Sequence, residues 1–255
     1  MKLPQVHGQN TQTSFYIYAA CDTEYFKQFA PSLINSVLSN TNQGLHLHLF
    51  NPTQDQINLC QQPRVSATWE FVDAGAVQPF VSNFTNLTDN QQRRTRTAMT
   101  KGNDKDLADR LLKTYYACAR FIRLGEQFHE QAFAIDVDAV VRKPIPQLLS
   151  NVDFYLHRIF GKKARCLAGG LYLNTTAKRF LDEYAAALKD KITNNCLYWG
   201  VDQDLLDTIV PLHSHGQLPL ELIDWEMTSA GIIWTAKGTR KDLEIFINEQ
   251  KKYIS

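Results

Sequence analysis

The alternation of apolar strands with an amphipathic helix near the start of the chain restricts the fold most strongly. Residues 15–20 (FYIYAA) and 45–50 (LHLHLF) have the length and the aromatic and aliphatic composition of buried strands. Between them, apolar side chains recur at spacings of three and four over 26–38, and Pro31 predicts a first turn followed by a helix start or a kink. WEFV at 69–72 is a third predicted strand. This order predicts an α/β fold with a mostly parallel central sheet flanked by helices.

The rest of the chain continues the alternation, and we find no internal repeat or linker. The sequence therefore predicts a single domain over residues 1–255. For the helix at about 176–191, Thr175 or Thr176 is the predicted N-cap. The later predicted elements are a helix over 105–127, strands at 132–135, 139–141, 153–157 and 167–174, and helices at 176–191, 201–210 and 241–253.

Composition excludes several classes of protein. Of 255 residues, 27 are Lys or Arg and 26 are Asp or Glu, so the net charge of +1 gives no reason to expect binding to nucleic acid. The five cysteines are scattered without a CxxC pair, which indicates free thiols in a reducing compartment. No apolar run has the length of a membrane span, and no signal peptide is visible. We expect a cytoplasmic protein without a transmembrane segment.

The stretch 74–105 shows the weakest periodicity in the chain. It combines several Arg and Lys residues with Asn, Gln, Thr and Gly. The pattern predicts a solvated, mobile loop region. The alternative is a flexible cover that contacts an anionic substrate.

The strongest chemical signal is Asp136–Val137–Asp138, which directly follows the apolar strand AFAI. Residues two apart on extended backbone point to the same side, so the two carboxylates repel each other unless a cation lies between them. Mg²⁺ and Mn²⁺ prefer oxygen ligands and often complete their shells with phosphate oxygens. Ligands of open α/β sheets bind at the carboxyl ends of strands. The motif predicts a metal–diphosphate site, and the alternative is a strand end with acidic turn residues.

The tract AFAIDVDAVVRKPI resembles the DxD segment of GT-A glycosyltransferases, especially the retaining glycogenin and bacterial galactosyltransferase-like group. Three other tracts are similar to that family in the same order: FYIYAACDTEY, TYYACARFIRL, and AGGLYLN followed by GVDQDLL. The resemblance covers about residues 15–210. It implies a GT-A fold and metal-dependent transfer of a hexose from a nucleoside diphosphate sugar, with a UDP-sugar as the expected donor. It also implies Mn²⁺ or Mg²⁺, a glycan or other hydroxyl acceptor, and retention of configuration.

On the nucleotide side, the resemblance implies that the main chain around Ala19 and Ala20, with Asp22, holds the base or ribose. Asp136 would bind the metal and lie near the ribose. Arg120 would support the nucleotide and the DxD motif, and the alternative is an exposed charge on its helix.

On the sugar side, the resemblance implies that Asp138 is the second metal ligand. Gly169 and Gly170 would let the sugar approach the backbone. Asp202 and Gln203 would line the donor sugar and the acceptor as catalytic residues, and the alternative for Asp202 is a helix cap. Three tryptophans are candidates for either the core or a sugar-stacking platform: Trp199, Trp225 and Trp234.

The C-terminal tract WTAKGTRK departs from the family pattern. Gly238 and Lys241 match it, but Thr235 stands where the family has a metal-binding His. His213, His215 or water would then supply the third ligand. The basic side chains that would neutralise the departing diphosphate are Lys237, Arg240 and Lys241.

Two other functions stay open at this point. A haloacid-dehalogenase-like phosphatase also places DxD after an apolar strand, but on the first strand of its core. A non-catalytic nucleotide-sugar or glycan-binding module would keep the fold without turnover. His46 and His48 share one face of their strand, and without a third ligand nearby they are predicted to be ordinary sheet residues.

Overall fold

The computed structural model describes residues 3–99, 102–148, 151–159, 165–236 and 238–254. The strands are β1 (His7–Gly8), β2 (Tyr16–Asp22), β3 (Gly44–Phe50), β4 (Val65–Glu70), β5 (Ala132–Ile135), β6 (Ala139–Val141), β7 (Phe154–Ile159), β8 (Arg165–Leu173), β9 (His215–Gln217), β10 (Ile223–Asp224) and β11 (Ile233–Thr235). The α-helices are α1 (Thr23–Asn40), α2 (Gln54–Leu59), α3 (Gln78–Asn83), α4 (Asp89–Thr97), α5 (Asp104–Gln127), α6 (Lys178–Thr193), α7 (Val201–Ile209) and α8 (Glu244–Lys251).

Two sheets organise the molecule. The 8-stranded sheet has the order β1-β4-β3-β2-β5-β8-β7-β9, and the 3-stranded sheet has the order β10-β11-β6. Strands β4, β3, β2 and β5 run parallel, whereas β8 is antiparallel to both of its neighbours, β5 and β7. The predicted α/β fold is confirmed, with a mixed rather than a purely parallel sheet. No helix within the described residues is long and apolar enough to cross a membrane.

Alternating side chains of β2 show how the layers form. Tyr16 and Tyr18 pack with α5 and α6 on one face of the large sheet. Ile17 and Ala19 pack with α1 and the small sheet on the other face. Because successive strand residues point to opposite faces, an almost wholly apolar strand is buried on both sides.

The boundaries of two helices differ from the expectations. Helix α1 begins at Thr23, before Pro31, because the Asp22 carboxylate caps it by accepting from the Tyr25 amide at 2.9 Å. Helix α6 begins at Lys178, so the prediction of a threonine N-cap is wrong. Its N-cap is Ala177, with no side-chain cap, because Thr175–Ala177 forms a separate 3₁₀ turn.

The stretch 74–105, predicted to be a loop region, is largely helical in its described part. It contains α3, α4 and two 3₁₀ turns, and it ends at the start of α5. Helix α4 has no apolar stripe but begins with a capping box, in which Thr88 and Gln91 satisfy each other's amides. Residues 100 and 101 lie outside the described residues. Caps and tertiary contacts therefore order a segment whose periodicity gives no helix signal.

Two histidines of β3 belong to a buried polar cluster. His46 contacts the hydroxyls of Ser66 and Thr68 at 2.8 and 3.0 Å, and His48 contacts Thr68 at 3.0 Å. Both histidines are fully buried. Burial lowers the pKa of His46 to about 3, and burial together with the Arg123 guanidinium lowers the pKa of His48 well below its usual value. These are ordinary sheet residues, as expected, held in the neutral form.

We expect the free energy of unfolding to fall as the pH drops from about 6.5 towards 4, because these histidines take up protons only on unfolding. Each histidine should contribute up to about 1.4 kcal/mol per pH unit over that range. Urea unfolding at a series of pH values measures the slope. His46→Asn should reduce the slope, and an unchanged slope would contradict the assignment.

Candidate active site

A cavity of about 520 Å³ opens at the carboxyl ends of β2 and β5. These strands are parallel neighbours, so the residues that follow them meet at the same edge of the sheet. The predicted site residues that line the cavity are Ala20, Asp22, Arg120, Asp136, Asp138, Asp202, Gln203 and Lys241. The fold thus brings together residues that are far apart in sequence.

The Asp136–Val137–Asp138 segment crosses from the large sheet to the small one. Asp136 follows β5 in the large sheet, and Asp138 precedes β6 in the small sheet. Asp138 is buried, and its carboxylate lies 2.5 Å from the Lys241 ammonium. Burial and the charge of Asp136 raise the pKa of Asp138 to about 6, although Lys241 opposes the rise. The site therefore holds two neighbouring carboxylates, and the Lys241 ammonium compensates the charge of the second.

Arg120 on α5 is the partner of the first carboxylate. Its guanidinium donates to Asp136 at 2.5 Å and to the Ala168 carbonyl at 3.0 Å. The Tyr18 hydroxyl donates to the Arg120 carbonyl at 2.7 Å and so ties this turn of α5 to β2. The side chain of Arg120 is only 16% exposed, which rules out the alternative of an exposed helical charge.

Asp202 and Gln203 line the cavity from the first turn of α7. Gly200 precedes that helix with a φ of 85°, and it is the N-cap. The alternative of Asp202 as the N-cap is therefore wrong. The Asp202 carboxyl is buried, and burial raises its pKa against the attraction of Arg120. Arg120 thus acts electrostatically on both Asp136 and Asp202.

Strand β2 carries the residues that the resemblance assigns to the base or ribose. Ala20 and Asp22 line the cavity, but the side chain of Ala19 is fully buried on the α1 side of the sheet. Asp22 caps α1, so any contact with a ligand would be additional to a structural role. Burial raises the pKa of the Cys21 thiol well above its usual value, and a nucleophilic role has no support.

The paired glycines of β8 face opposite sides of the sheet. A Cβ on Gly169 would lie 2.7 Å from Asp136 Oδ2, whereas a Cβ on Gly170 would lie 2.4 Å from Ile223 Cδ1. Only Gly169 therefore borders the carboxylate site, because strand residues alternate. Gly170 leaves room for core packing between the two sheets.

The two glycines form a matched pair of positions. We expect Gly169→Ala to reduce activity about tenfold or more by displacing Asp136, with a small change in stability. Gly170→Ala should instead lower the free energy of unfolding by about 1–3 kcal/mol through overpacking. Donor turnover and urea unfolding of both variants test this, and equal effects of the two substitutions on activity would contradict it.

The donor set fits a divalent metal held jointly by protein and substrate. Asp136 and Asp138 supply two carboxylates, and Mg²⁺ is commonly bound by one or two carboxylates with substrate phosphates and water. The described residues contain no group of three or more His, Cys, Asp or Glu that could hold a metal. Thr235 lies in β11, and its hydroxyl is 3.5 Å from the Asp138 carbonyl oxygen. Phosphate and water oxygens would therefore complete the shell.

The histidines considered as a third ligand do not line the cavity. His213 contacts Glu183 at 2.8 Å, and His215 in β9 contacts Arg158 at 3.2 Å. Strands β9 and β7 form the far edge of the large sheet, away from the carboxyl end of β5. The expectation that either histidine replaces the missing ligand is therefore not supported.

The basic C-terminal residues differ in their surroundings. Lys241 contacts Asp138 and the Tyr25 hydroxyl, the latter at 2.9 Å, and its side chain is 19% exposed. Arg240 forms an exposed ion pair with Glu226 and does not line the cavity. Lys237 lies outside the described residues. Of the described basic residues of this tract, Lys241 is the one that contacts the carboxylate pair.

The cavity also contains residues that the sequence did not single out. Arg110 and Lys113 lie on the same face of α5 as Arg120, and Phe50 and Tyr116 stack at a ring separation of 4.4 Å. In the sequence, Arg110, Lys113 and Arg120 recur at helical spacing, and this signal could have revealed their common face. Among the three tryptophans considered earlier, only Trp199 lines the cavity.

These features define an α/β protein of the GT-A type, with paired carboxylates at the carboxyl end of the central sheet. Solved glycosyltransferase structures share this fold. Galactosyltransferase LgtC, solved with donor and acceptor sugar analogues, matches with a TM-score of 0.55 and 12% identity, covering 95% of this chain and 97% of that one. Mouse xyloside xylosyltransferase 1 matches with a TM-score of 0.50 and 10% identity, covering 89% of this chain and 99% of that one.

A third similar structure is the glycosyltransferase GlyE of Streptococcus pneumoniae TIGR4, with a TM-score of 0.55 and 10% identity. The match covers 92% of this chain but 60% of GlyE, so GlyE is a substantially longer protein. No family model and no curated protein matches the sequence. The similarity to glycosyltransferases therefore lies in the fold.

Proposed function

We propose that the chain is a metal-dependent glycosyltransferase that moves a hexose from a UDP-sugar to a hydroxyl acceptor with retention of configuration. The observation that carries the proposal is the convergence of Asp136, Asp138, Arg120 and Lys241 on one cavity. Two carboxylates and two cations suit the charge of a diphosphate with its metal. The fold shared with glycosyltransferases agrees with this assignment.

In this mechanism, Asp136 and Asp138 would hold Mn²⁺ or Mg²⁺. When bound there, the ion would supply Lewis-acid stabilisation for the negative charge of the leaving diphosphate. Lys241 releases Asp138 and donates to a phosphate oxygen, while Arg120 keeps Asp136 in position. Residues Ala20 and Asp22 contact the base or ribose, and the backbone at Gly169 leaves space next to Asp136. Each protein group thus serves charge stabilisation or orientation.

Asp202 and Gln203 line the same cavity from α7. In the proposed complex they border the donor sugar and the acceptor hydroxyl. The buried Asp202 carboxyl fixes Arg120 between two negative charges, and Gln203 offers an amide to the reacting sugar. Substitution of Asp202 or Gln203 should therefore lower turnover more than donor binding.

A panel of UDP-, GDP-, CMP- and TDP-sugars, assayed for binding and hydrolysis with and without Mn²⁺, tests the proposal. Metal-stimulated hydrolysis of a UDP-sugar supports it, and NMR of the first-formed product reports the anomeric configuration. Binding without turnover under all acceptor conditions would favour the non-catalytic module instead. Phosphate release from a phosphomonoester, without sugar transfer, would favour the phosphatase.

We expect Lys241→Ala to weaken UDP-sugar binding about tenfold or more, because a charge-assisted contact to phosphate contributes roughly 1.5–3 kcal/mol. It should also lower stability, since the buried Asp138 loses its partner. If Lys241 were a solvated tail residue, its substitution would lower neither donor affinity nor stability. Calorimetry and thermal unfolding provide the measurements. Arg240→Ala is the matched control, and equal donor affinities of both variants would contradict the role.

A further inference from the structure

One face of α5 runs along the cavity and carries three cations. Arg110, Lys113, Ala117 and Arg120 all line it, at spacings of three, four and three residues. At 1.5 Å per residue, Arg110 lies about 15 Å from Arg120 along the helix axis. The cavity therefore extends well beyond the carboxylates that Arg120 contacts.

The cations at the two ends of this face differ in their partners. Arg120 is paired with Asp136, but no carboxylate among the described residues forms an ion pair with Arg110 or Lys113. Arg110 Nε is buried without a hydrogen-bond partner. A buried donor that has lost its water and gained no acceptor is unfavourable. An anion in the cavity would supply the acceptor.

An aromatic side chain lies beside these cations. The Arg110 guanidinium is 4.5 Å from the centre of the Trp199 ring, and Trp199 remains 38% exposed. Its amide donates to the Thr95 hydroxyl at 3.0 Å, which anchors the segment before α7 to α4. The Trp199 backbone is therefore anchored, and its ring is partly exposed at the cavity wall.

The cluster of Arg110, Lys113 and Trp199 is distinct from the residues predicted to bind the diphosphate. Lys241 and Arg120 serve the two carboxylates, and the contacts expected for the nucleotide come from β2. Trp199 is followed in the chain by Gly200 and then by the α7 turn that carries Gln203. A second anion at Arg110 would therefore lie on the acceptor side.

We infer that Arg110, Lys113 and Trp199 form an acceptor subsite for a saccharide that carries a carboxylate or a phosphate group. Arg110 and Lys113 bind the anionic group, since a guanidinium fork matches both carboxylate and phosphate oxygens. The Trp199 ring packs against the apolar face of the sugar. The acceptor assignment rests on the proposed function, whereas the anion subsite itself rests on these three side chains.

The test measures binding of three probes by calorimetry, with UDP and Mn²⁺ at saturation so that the diphosphate site is filled. The probes are glucuronate, glucose 6-phosphate and glucose. At least one acidic sugar should bind about tenfold more tightly than glucose. Comparison of glucuronate with glucose 6-phosphate shows which anionic group the subsite prefers.

Arg110→Gln and Lys113→Gln should each remove most of that preference. Lys105→Gln, at an exposed position of the same helix outside the cavity, should retain it. Lys113 is exposed, so its variant stays informative if Arg110→Gln is destabilised. Equal affinity for all three probes, or a preference that survives in both cavity variants, overturns the inference.

Hydrolysis of the UDP-sugar, measured in separate samples without added UDP, separates the two proposals. An acidic-sugar preference without any donor hydrolysis would reject the proposed function and leave the anion subsite standing. Donor hydrolysis without a preference for acidic sugars would support the proposed function and reject the anion subsite. Lys105→Gln, at an exposed position outside the cavity, should leave donor hydrolysis within about twofold of wild type.

Discussion

Asp138→Asn is expected to lower donor hydrolysis and sugar transfer roughly 10²–10³-fold, with Asp136→Asn similar. The substitution keeps the shape of the side chain and removes one of the two negative charges. In the proposed mechanism, the metal then loses a carboxylate ligand. Asp138 also loses its charge partnership with Lys241, which would remain in the cavity as an unpaired cation.

The measurement is Mn²⁺-dependent turnover of the UDP-sugar, together with thermal unfolding of each variant. Asp182→Asn, at an exposed position of α6, is the control for the loss of a surface carboxylate. A folded Asp138→Asn or Asp136→Asn protein with near-wild-type activity in a chelator would refute the metal site. The corresponding alanine variants should show the same loss.

Gln203→Ala and Asp202→Asn are expected to lower kcat about 100-fold while changing donor KM only a few-fold. A group that acts mainly as the glycosidic bond breaks affects turnover more than ground-state binding. For Asp202, the mechanism is indirect, because the buried carboxyl acts through Arg120. Since Asp202 is not the N-cap of α7, a large loss of helix stability is not expected from Asn.

Donor titrations at saturating acceptor separate kcat from KM for these variants. Thr208→Ala is a control on the same helix, because its exposed side chain bonds only the Asp204 carbonyl, at 3.0 Å. An increase in donor KM without a change in kcat would place the pair at the nucleotide. A parallel loss of stability in both variants would indicate a structural role alone.

The sequence was sufficient for features that local periodicity encodes. The strand AFAI and its two aspartates were predictable because burial on both faces leaves a continuous apolar run. The long helix α5 was predictable from its apolar stripe. The α/β architecture followed from the order of these elements, whereas the GT-A fold was implied by the resemblance of four tracts, and solved structures of that fold agree with it.

The remaining features depend on tertiary pairing, which a local pattern does not contain. The antiparallel insertion of β8 beside β5 brings Gly169 to Asp136, and neither segment shows that pairing in its own residues. Lys241 was predicted to lie at the diphosphate, but the sequence does not show that it folds back onto Asp138. Helix α4 depends on its capping box and on the Arg94–Asp204 ion pair with α7. On α5, Arg120 was singled out through the resemblance, but Arg110 and Lys113 were missed because polar helical residues usually face solvent.

The two carboxylates of the DxD segment belong to different sheets, and this has a consequence for folding. Asp138 meets β11 across 97 residues of chain, through its carbonyl contact with Thr235. Closing so long a loop is entropically costly until the intervening helices have packed. A nascent chain that has completed only the large sheet therefore holds Asp136 in place while Asp138 still lacks its neighbours. Such a chain can acquire most of its compactness before the paired carboxylates reach their final arrangement.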